Sequence, residues 1–571
     1  MTALHAPIDK EIRETLSAYD DLFASLLVRR GITTAKEAAA FLNPSYDAHL
    51  HDPMQMKNMP AAAARLARAL EKGEYIAVWS DYDADGIPGG VILHDFLKKA
   101  QAHFTNYIPH RALEGYGVNT DGVEKLARAG VTLLITVDSG ITDNAALAYA
   151  KERGIDVIVT DHHEPSDTLP DVFAVIDPKQ EGETYPFRDL CGAALAWKLV
   201  CATLTHPFPT RKNFTEGWEK WLLDMAGFAT ISDMVPLLGE NRVLAKYGLL
   251  VMRKARRLGL AALCRVARVS PRTLSEDDVG YVLAPRVNAA SRMGDPLDAF
   301  HLFTTTDESE AQELAKKLEA ANRRRRAASA AITRAVHARV RDRGDRENLP
   351  PVLVLGDPTW SPSLLGLVAS TVAEEYGRPV FLWGREKFEE IKGSCRSDGS
   401  TNVLELMNSA RDVFLHYGGH TVSGGFTLDP RAVSALEEKL VGAFCTLARE
   451  TRDPVLLRAD AELTLSRVNH ALLAHLDQLA PFGEGNAKPL WLFRNVILQK
   501  VLWFGKNEEH VRLIVADAGV SHNAVAFFAK HSLRKKVRDL SLPARVTLLA
   551  HVERDTFLYK NALRLRVVLL A

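Results

Sequence analysis

The sequence predicts an α/β protein in which a parallel-sheet domain is joined by a long helix to a smaller α/β domain and is followed by an OB-like β-barrel. Three observations favour this architecture. Apolar runs alternate with helical patterns from about residue 60 to 265, an unbroken helical pattern free of Pro and Gly covers 305–343, and short alternating segments fill the C-terminal part. Alternating strands and helices are typical of parallel sheets with helices on both faces.

The 571-residue chain is too long for one hydrophobic core, so several domains are expected. We assign five segments: an N-terminal helical lead-in at 1–55, the parallel-sheet domain at 56–300, the connecting helix at 301–344, the second α/β domain at 345–452 and the barrel at 453–571.

The composition is that of an ordinary globular protein, with 47% apolar residues, 25% charged residues and a formal net charge of zero. Nucleic-acid binding would therefore depend on local basic patches. Five scattered cysteines form no CxxC pair, which argues against a disulfide framework or a zinc knuckle and favours a reducing compartment. Neither a signal peptide nor an apolar run of about 20 residues is evident, so we expect a cytoplasmic protein without a membrane span.

The N-terminal segment contains two short helical patterns. The first ends at Gly31, and the second begins after Thr34, which can cap it, and stops at Asn43-Pro44. We expect Asp121, with Glu124 three residues later, to form a capping box for a later helix. The alternating elements of the first domain are then a helix at 60–71, a strand at 75–79, the helix from Asp121 to near Gly130, a strand at 131–137, a helix at 143–153 and a strand at 155–160.

The pattern over 305–343 predicts a single helix, which Thr305 with Glu308 can cap and which can end at Gly344. At 1.5 Å per residue it would span on the order of 50 Å, so we interpret it as a spacer between domains. The helix carries four consecutive arginines at 323–326. They are either a solvated helix face or a stripe that follows phosphates beside a cleft.

A second α/β unit begins with the apolar run 352–355 and extends to about 450. Short alternating segments follow, which is the pattern of a small all-β domain. The predicted strands of that domain cover 491–503, 511–516, 523–528, 545–552 and 563–570.

Acidic residues follow three apolar runs of the first domain. Asp83 and Asp85 precede Gly86 after the first run, Asp138 follows the second, and Asp161-His162-His163 follows the third. The carboxyl ends of parallel strands are where such sheets place their chemistry. Alternate residues of an extended segment point the same way, so Asp83 and Asp85 can face one pocket.

Asp233 adds a fourth carboxylate next to another apolar run. Four carboxylates and one imidazole form an oxygen-rich donor set that suits Mn²⁺ or Mg²⁺ better than zinc. The set is large enough for two ions with a shared carboxylate, the arrangement that promotes in-line attack on a phosphodiester. Each residue alone has a plain structural explanation, such as a helix cap or a turn, but their clustering at three strand ends favours a metal site.

These motifs resemble the four metal motifs of the DHH phosphoesterases. Four later segments are similar to signatures of the RecJ exonucleases within that superfamily: 284–295, 393–397, 418–420 and 481–486. The resemblance extends over nearly the whole chain. It implies a DHH domain, a long helix, a DHHA1 domain and an OB-like domain, in that order.

The resemblance also implies roles for the acidic cluster. Asp83 would bind one metal ion and Asp85 the other, Asp138 would bridge the two ions, and His162 and Asp233 would complete the second site. His163 would act beside the scissile phosphate as an electrostatic stabiliser or acid. Asp161 would orient the imidazole, and Asp81 is included in the catalytic set outside the direct metal ligands.

Substrate contacts are implied by the remaining motifs, and arginine is well suited to hold a terminal phosphate. The implied contact residues are Arg111, Tyr116, Arg286, Asn288, Arg292, Ser394, Arg396 and His420. Six aromatic residues of the last domain are candidates for base stacking, although most are expected in its core. They are Trp503, Phe504, Phe527, Phe528, Phe557 and Tyr559.

The chain departs from the usual family pattern at Pro88, Gly89, Ser361, Ser363 and Cys395. None of these positions is an expected metal ligand. Pro88 removes a hydroxyl group expected near the phosphate, and Ser361 stands where a histidine is common. These departures bear on product length and end preference more than on phosphodiester hydrolysis.

We therefore expect a Mn²⁺- or Mg²⁺-dependent exonuclease that degrades single-stranded DNA from 5′ to 3′, releases 5′-mononucleotides and acts in DNA repair and recombination as a monomer. By resemblance, single-strand-binding protein and a helicase are its expected partners. One alternative is a DHH phosphodiesterase for short oligoribonucleotides or cyclic dinucleotides. The other is a non-catalytic, single-strand-binding module similar to a replication factor.

Overall fold

The structure is a computed structural model that describes residues 2–111, 113–344, 348–385, 390–447, 457–505, 508–529, 531–555 and 562–571. The predicted domain limits at 345 and at 452–453, and the candidate residues Phe557 and Tyr559, lie outside the described residues. Within the described part, no helix is both long and apolar enough to cross a membrane.

The N-terminal segment consists of one short strand and four helices. These are β1 (Thr2–Leu4), α1 (Lys10–Thr15), α2 (Asp21–Val28), α3 (Ala35–Leu42) and α4 (Tyr46–His49). Thr34 caps α3 in a capping box with Glu37, as the sequence predicts. Gly31, at the predicted end of the preceding helix, has a positive φ of 76°.

The first α/β domain alternates strands and helices before a group of helices. Its elements are α5 (Met59–Lys72), β2 (Tyr75–Ser80), α6 (Gly86–Lys99), β3 (His103–Tyr107), α7 (Thr120–Arg128), β4 (Leu133–Val137), α8 (Asn144–Glu152), β5 (Asp156–Thr160), β6 (Ala174–Ile176), α9 (Gly192–Thr203), α10 (Leu223–Ser232), α11 (Gly239–Met252), α12 (Leu258–Ala267), α13 (Ala284–Met293) and α14 (Leu297–Thr304). The strands form one parallel sheet in the order β3-β2-β4-β5-β6. The parallel sheet predicted for this domain is therefore confirmed.

One predicted helix start in this domain is wrong. Helix α7 is capped by Asn119, whose side chain accepts the N–H of Gly122, and not by a capping box at Asp121. Asp121 instead lies in the first turn of the helix, where its charge interacts favourably with the helix dipole.

The long connecting helix is α15 (Glu308–Asp342). Its cap is Asp307, which accepts the N–H of Glu310, so the predicted cap at Thr305 is wrong by two residues. The interpretation as a plain spacer also needs correction, because α15 takes part in two hydrophobic cores. Its first half buries Leu318 against the first domain, and its second half buries Val336 against the second domain.

The second α/β domain has a mixed five-stranded sheet. Its elements are β7 (Leu353–Gly356), α16 (Pro362–Tyr376), β8 (Val380–Arg385), β9 (Ile391–Arg396), α17 (Val403–Ser409), β10 (Phe414–His420), β11 (Ser423–Leu428) and α18 (Leu436–Thr446). The strand order is β10-β11-β9-β8-β7, and the β7–β8 pair is parallel while the other pairs are antiparallel.

The C-terminal domain is a closed five-stranded barrel. Its elements are β12 (Leu457–Ala459), β13 (Ala461–Glu462), α19 (His470–Leu479), β14 (Trp491–Phe504), β15 (His510–Asp517), β16 (Val520–Ala526), α20 (His531–Asp539), β17 (Ala544–Asp555) and β18 (Ala562–Leu570). The sheet order β14-β15-β16-β18-β17 closes through the pairing of β14 with β17. The OB-like barrel and its five predicted strands are thereby confirmed.

The N-terminal helices pack on this barrel. Phe23 and Phe41 belong to the same hydrophobic cluster as Trp491 and Phe493 of β14, and β1 pairs in parallel with β12. The buried guanidinium of Arg242, on α11 of the first domain, donates to carbonyl groups both in α3 and at the end of α19. The first and last segments of the chain therefore form one unit that is anchored to the first domain.

Candidate metal centre

The acidic motifs meet at the carboxyl edge of the parallel sheet. The segment 81–85 follows β2, Asp138 follows β4, and Asp161 follows β5. The strands are aligned so that Ser80 pairs with Val137, which in turn pairs with Thr160. Because the neighbouring strands end level with one another, the carboxylates that follow them lie side by side.

His162 lies at the centre of the cluster. Its Nε2 is 3.1 Å from Oδ1 of Asp138, 3.5 Å from Oδ2 of Asp85 and 3.7 Å from Oδ2 of Asp233. Asp233 comes from the C-cap of α10, outside the sheet. Among the described residues, three sets have ligand atoms that lie within 4.8 Å of one another: Asp138, His162 and His163; Asp85, His162 and Asp233; and Asp81, Asp83 and Asp138.

Backbone amides hold the carboxylates in place. Asp85 accepts the N–H groups of Gly192 and Ala193, at 2.7 and 2.8 Å, where α9 begins. Asp83 accepts the N–H groups of Asp85 and Gly86 across its own tight turn. Negative charge at a helix N-terminus is stabilised by the free amides and by the helix dipole.

Asp161 differs from the other aspartates of the cluster because it contacts the two histidines that follow it. Its Oδ1 accepts the N–H of His162 and lies 2.8 Å from Nδ1 of His163, and its Oδ2 accepts the N–H of Ile141. Both oxygens are thus engaged within the protein. Asp161 therefore contacts the imidazole of His163 but only the backbone of His162.

Two glycines make the close approach of these segments possible. A Cβ on Gly86 would lie 2.5 Å from the carbonyl oxygen of Asp81, and a Cβ on Gly192 would lie 2.7 Å from the Cβ of Asp138. Asp138 itself has a φ of 61°, in the left-handed region that costs a non-glycine residue about 1 kcal/mol or more. The site therefore contains local backbone strain at the predicted bridging ligand.

The electrostatics of the cluster call for a cation. Burial, followed by repulsion from neighbouring carboxylates, raises the pKa of Asp85 to about 6 and that of Asp233 to about 9. The same causes raise the pKa of Asp81 and Asp138, and Oδ1 of Asp81 is buried without a hydrogen-bond partner among the described residues. Oxygen ligands of this kind suit Mn²⁺ or Mg²⁺, so the donor set fits the expected metals.

The two histidines differ in charge. Burial, together with repulsion from His163, lowers the pKa of His162 to about 3, so its imidazole is neutral and free to bind a metal. Burial opposes the charge of His163 too, but its contact with Asp161 and the nearby carboxylates raise its pKa to about 9. His163 is therefore a cation beside the cluster at neutral pH.

Two predicted contact residues lie over the same edge of the sheet. The hydroxyl of Tyr116 donates to the carbonyl of Asp138 and lies 3.3 Å from Nδ1 of His163, and the side chain is half exposed. The guanidinium of Arg111 lies 5.0 Å from the ring centre of Tyr82, in the turn that carries Asp83.

The segment 284–295 supports the site from behind. The side chain of Asn288 accepts the N–H of Ala84, which fixes the turn between the two carboxylates of that motif. Arg286 forms an ion pair with Glu319 of α15. Arg292 donates to the carbonyl of Ser363 and so connects the first domain to the second. Burial and the nearby Arg111 and Arg325 lower the pKa of Arg292 to about 10, which indicates a concentrated positive charge.

The second domain places its predicted contact residues on its sheet. Ser394 and Arg396 lie on β9 facing α16, where a Cβ on Gly366 would lie 2.8 Å from Nη2 of Arg396. His420, at the end of β10, is exposed. The structure does not bring these residues into contact with the acidic cluster. They belong to a separate surface.

The departures from the family pattern have local explanations. A Cβ on Gly89 would lie 2.5 Å from Cγ1 of Val137, and Pro88 sits in the first turn of α6, where no helical N–H bond is needed. Ser361 and Ser363 lie 3.0 Å apart through their hydroxyls, and Cys395 is buried against Met407.

Sequence reasoning missed the amide groups of Gly192, Ala193 and Ile141, which hold the carboxylates. Asp85 and Gly192 are 107 residues apart in the chain, so no local pattern links them. The available signal is the run of small residues that starts at Cys191-Gly192, which permits a helix N-terminus to approach a buried carboxylate.

Three family models match the chain. The DHH family N-terminal domain matches residues 75–228, the DHHA1 domain matches 349–444, and the RecJ OB domain matches 459–568. These matches agree with the order of domains that the sequence predicts.

Known proteins are similar over most of the chain. The single-stranded-DNA-specific exonuclease RecJ of Bacillus subtilis is 37% identical over 89% of this chain, which spans 63% of that relative's length. RecJ of Thermus thermophilus is 34% identical over 86% of this chain, which spans 68% of that relative's length. The crystal structure of Thermus thermophilus RecJ in complex with Mn²⁺ superimposes with a TM-score of 0.80 at 28% identity, covering 100% of this chain and 79% of that one. The chain therefore belongs to the RecJ family of DHH proteins.

Proposed function

We propose that the chain is a metal-dependent exonuclease that degrades single-stranded DNA from its 5′ end and releases 5′-mononucleotides. The observation that carries this proposal is the convergence of five aspartates at one edge of the sheet, three of which surround the neutral imidazole of His162. The relatives from Bacillus subtilis and Thermus thermophilus, which bear the name of single-stranded-DNA-specific exonucleases, support the substrate class.

Two Mn²⁺ or Mg²⁺ ions would be held by Asp83, Asp85, Asp138, His162 and Asp233, with Asp138 shared between them. When bound, such ions lower the pKa of a water molecule and neutralise the charge that develops on the phosphate oxygens. The backbone amides at the start of α9 fix the carboxylate of Asp85 before any ion arrives. Preorganisation of this kind lowers the cost of assembling the site.

The remaining residues of the cluster act on the phosphate and on its orientation. His163, cationic at neutral pH, would stabilise the charge of the scissile phosphate or donate a proton to the leaving oxygen. Asp161 holds Nδ1 of His163 and so sets which ring nitrogen faces the substrate. Asp81, whose Oδ1 has no protein partner among the described residues, would accept a hydrogen bond from ligated water.

The strand would lie between the acidic cluster and the second domain. Arg111, Tyr116 and Arg292 would contact it from the first domain, and Ser394, Arg396 and His420 would contact it from the second. Arg286 and Asn288 would act indirectly, since the first is paired with Glu319 and the second holds the metal-binding turn. Arg324 and Arg326, both exposed on α15, would follow the backbone phosphates.

The barrel would hold the strand farther from the site. Phe528 is 70% exposed, so it can stack on a base. Trp503 is partly buried and lies 4.9 Å from the guanidinium of Arg534, on the basic helix α20. Phe504 and Phe527 pack edge to face with each other, and Phe527 is 37% exposed, so this pair also lies at the surface of the barrel.

The cellular setting is part of the same proposal. We expect a cytoplasmic monomer that acts in DNA repair and recombination, together with single-strand-binding protein and a helicase. A long binding surface argues for a polymeric substrate and against the short oligoribonucleotide or cyclic dinucleotide of the alternative enzyme. The complete set of carboxylate and imidazole donors at the site argues against a non-catalytic binding module.

Substitution Asp138→Ala tests the proposal. It should abolish nucleotide release from a 5′-labelled single strand while circular dichroism shows a folded protein, because the shared ligand is lost. The matched control is Asp121→Ala, an exposed aspartate that should leave the rate unchanged. Near-normal release by Asp138→Ala would contradict the assignment. Faster hydrolysis of a dinucleotide than of the long strand by the unaltered protein would favour the alternative enzyme.

A further inference from the structure

The 481–486 signature supplies neither a predicted metal ligand nor a predicted substrate contact. It lies between α19 and β14 in the C-terminal unit, yet it packs on the first domain. The segment that it contacts is 234–238, which connects α10 to α11 and directly follows the predicted metal ligand Asp233. The two segments are far apart in the chain, so only the fold brings them together.

Three contacts join these two segments. Leu237 donates its N–H to the carbonyl oxygen of Glu484 at 2.8 Å. The side chain of Leu237 is buried against Gly483, where a Cβ would lie 2.7 Å from Cδ1. A Cβ on Gly485 would lie 3.2 Å from the Cβ of Pro236. The loop therefore fits closely against the segment that follows Asp233.

The 481–486 loop is itself well fixed. The side-chain amide of the buried Asn486 donates to two carbonyl groups at the end of α19 and in the loop. Gly483 and Asn486 also exchange backbone hydrogen bonds of 3.0 and 3.1 Å. Glu276 of the first domain accepts the N–H of Phe482. The loop can therefore hold the 234–238 segment in one position.

Asp233 depends on such support more than Asp85 does. The carboxylate of Asp85 accepts two backbone N–H groups. Among the described residues, no N–H group donates to the carboxylate of Asp233, whose Oδ2 lies 3.7 Å from Nε2 of His162. Met234, which comes next, is 63% exposed and has a φ of 60°. The position of Asp233 is therefore set by the main chain, by α10 on one side and by 235–238 on the other.

We propose that the 481–486 loop positions Asp233 for metal binding by holding the segment 235–238. A ligand must lie within about 0.2 Å of its ideal distance from the metal, so a small shift of this segment is enough to weaken binding. The inference rests on the proposed function, because it requires an ion beside Asp233 and His162. It also gives the barrel and the N-terminal helices a part in metal binding, since their unit carries the loop.

Gly483→Ala tests the proposal in the full-length protein, because its methyl group would crowd Leu237 without placing an alanine in the left-handed region. Electron paramagnetic resonance of free Mn²⁺ should show two bound ions in the unaltered protein. In Gly483→Ala, one ion should bind at least fivefold more weakly and the other within twofold of normal. The control is Gly442→Ala, where a Cβ would meet nothing within 4 Å, and it should bind both ions normally.

A second substitution should reverse the effect. Leu237→Val removes the Cδ1 atom that the new methyl group would meet, so Gly483→Ala with Leu237→Val should regain Mn²⁺ affinity to within twofold of normal. Nucleotide release by Gly483→Ala should recover as Mn²⁺ is raised, while KM for the strand stays within twofold. If Gly483→Ala does not fold, Leu237→Ala, which removes the contact without crowding it, should show the same weakened ion.

The proposal is wrong if Gly483→Ala, or Leu237→Ala in its place, binds both ions normally. It is also wrong if the double variant binds Mn²⁺ as weakly as Gly483→Ala, or if KM for the strand rises while Mn²⁺ affinity is unchanged. In these cases the unaltered protein still binds metal and releases nucleotides, so the proposed function stands. An unaltered protein that binds no Mn²⁺ would overturn the proposed function and this inference with it.

Discussion

The two α/β domains place opposite charges at their sheets. In the first domain, aspartates follow strands of a parallel sheet and meet at its carboxyl edge. In the second domain, Ser394 and Arg396 lie within the antiparallel strand β9, on the face that packs against α16. One sheet thus gathers carboxylates at its edge, and the other carries a hydroxyl and a guanidinium group on one face of a strand.

Topology explains this division. Parallel strands end together at one edge, so loops that are distant in sequence can gather several carboxylates there. Antiparallel strands do not all end at the same edge of a sheet. Alternate residues such as Ser394 and Arg396 nevertheless share one face of a strand. A cluster of many carboxylates is therefore found at the edge of the parallel sheet, while two polar side chains can be paired on one strand of the other sheet.

The largest effect on nucleotide release is expected from a substitution that displaces a ligand of the acidic site in the first domain. Gly192→Ala should reduce nucleotide release by about 100-fold, because its Cβ would displace Asp138 or the start of α9, and a shift of about 1 Å in a catalytic group can cost that much. Gly442→Ala, where a Cβ would meet open space, is the matched control. A rate within twofold of normal for Gly192→Ala would show that the acidic site tolerates displacement of its ligands. The first domain's site would then be less rigid than we infer.

A smaller loss of activity is expected from a substitution in the second domain. Arg396→Ala should raise KM by about tenfold and change kcat much less, since a charge-assisted hydrogen bond to phosphate contributes about 1.5–3 kcal/mol. The exposed Arg385, at the end of the neighbouring strand β8, provides the control Arg385→Ala. Steady-state kinetics on a 5′-phosphorylated strand separate the two constants. A fall in kcat alone would place Arg396 in the chemical step.

The acidic site should also make stability depend on pH and metal. The pKa of Asp233 is raised from 3.8 to about 9, so the folded protein holds a proton that the unfolded chain releases, and stability falls as pH rises between these values. His163, with its pKa raised from 6.5 to about 9, acts in the same direction. In EDTA, Tm should therefore decrease by several degrees from pH 6.5 to 8.5, and Mn²⁺ should reverse the decrease.

Asp233→Asn is the variant that isolates this effect, because an amide does not titrate. Its metal-free Tm should fall less steeply over the same pH range than that of the unaltered protein. Equal slopes in differential scanning calorimetry would exclude Asp233 as a source of the pH dependence.

The smallest expected effect lies outside both α/β domains. Phe528→Ala should weaken binding of a long single strand about fivefold, at the low end of the range for loss of one stacked base, and leave release from a short strand unchanged. Val568→Ala, a comparable exposed apolar residue on the barrel, should have no effect. If both variants weaken binding equally, stacking by Phe528 is not the cause.

Much of the acidic site could be predicted from sequence because strand ends are visible as apolar runs. Asp83, Asp138 and His162 each follow such a run, and parallel topology brings them together. The helix caps of α7 and α15 were harder, since each start offers two capping candidates within two residues. The side chains that make the capping hydrogen bonds are those of Asn119 and Asp307.

Long-range partners could not be predicted at all. The amides of Gly192 and Ala193 reach Asp85 from positions 107 and 108 residues away in the sequence, and only the fold brings them near. The contact of α15 with the core of the second domain could not be predicted either, because it also depends on residues that are distant in the sequence. Its Val336 side is buried by residues of the second domain, which a helical pattern alone does not reveal.

The shared core of the N-terminal helices and the barrel has a consequence for synthesis on the ribosome. Leu42 and Trp491 belong to one hydrophobic cluster but are roughly 450 residues apart in the chain. At translation rates of about 5–20 residues per second, the first helices would wait about 20 to 90 s for the surface that covers them. Phe23, Leu27 and Phe41 would stay exposed during that time, so nascent chains are expected to depend on chaperones until the barrel is complete.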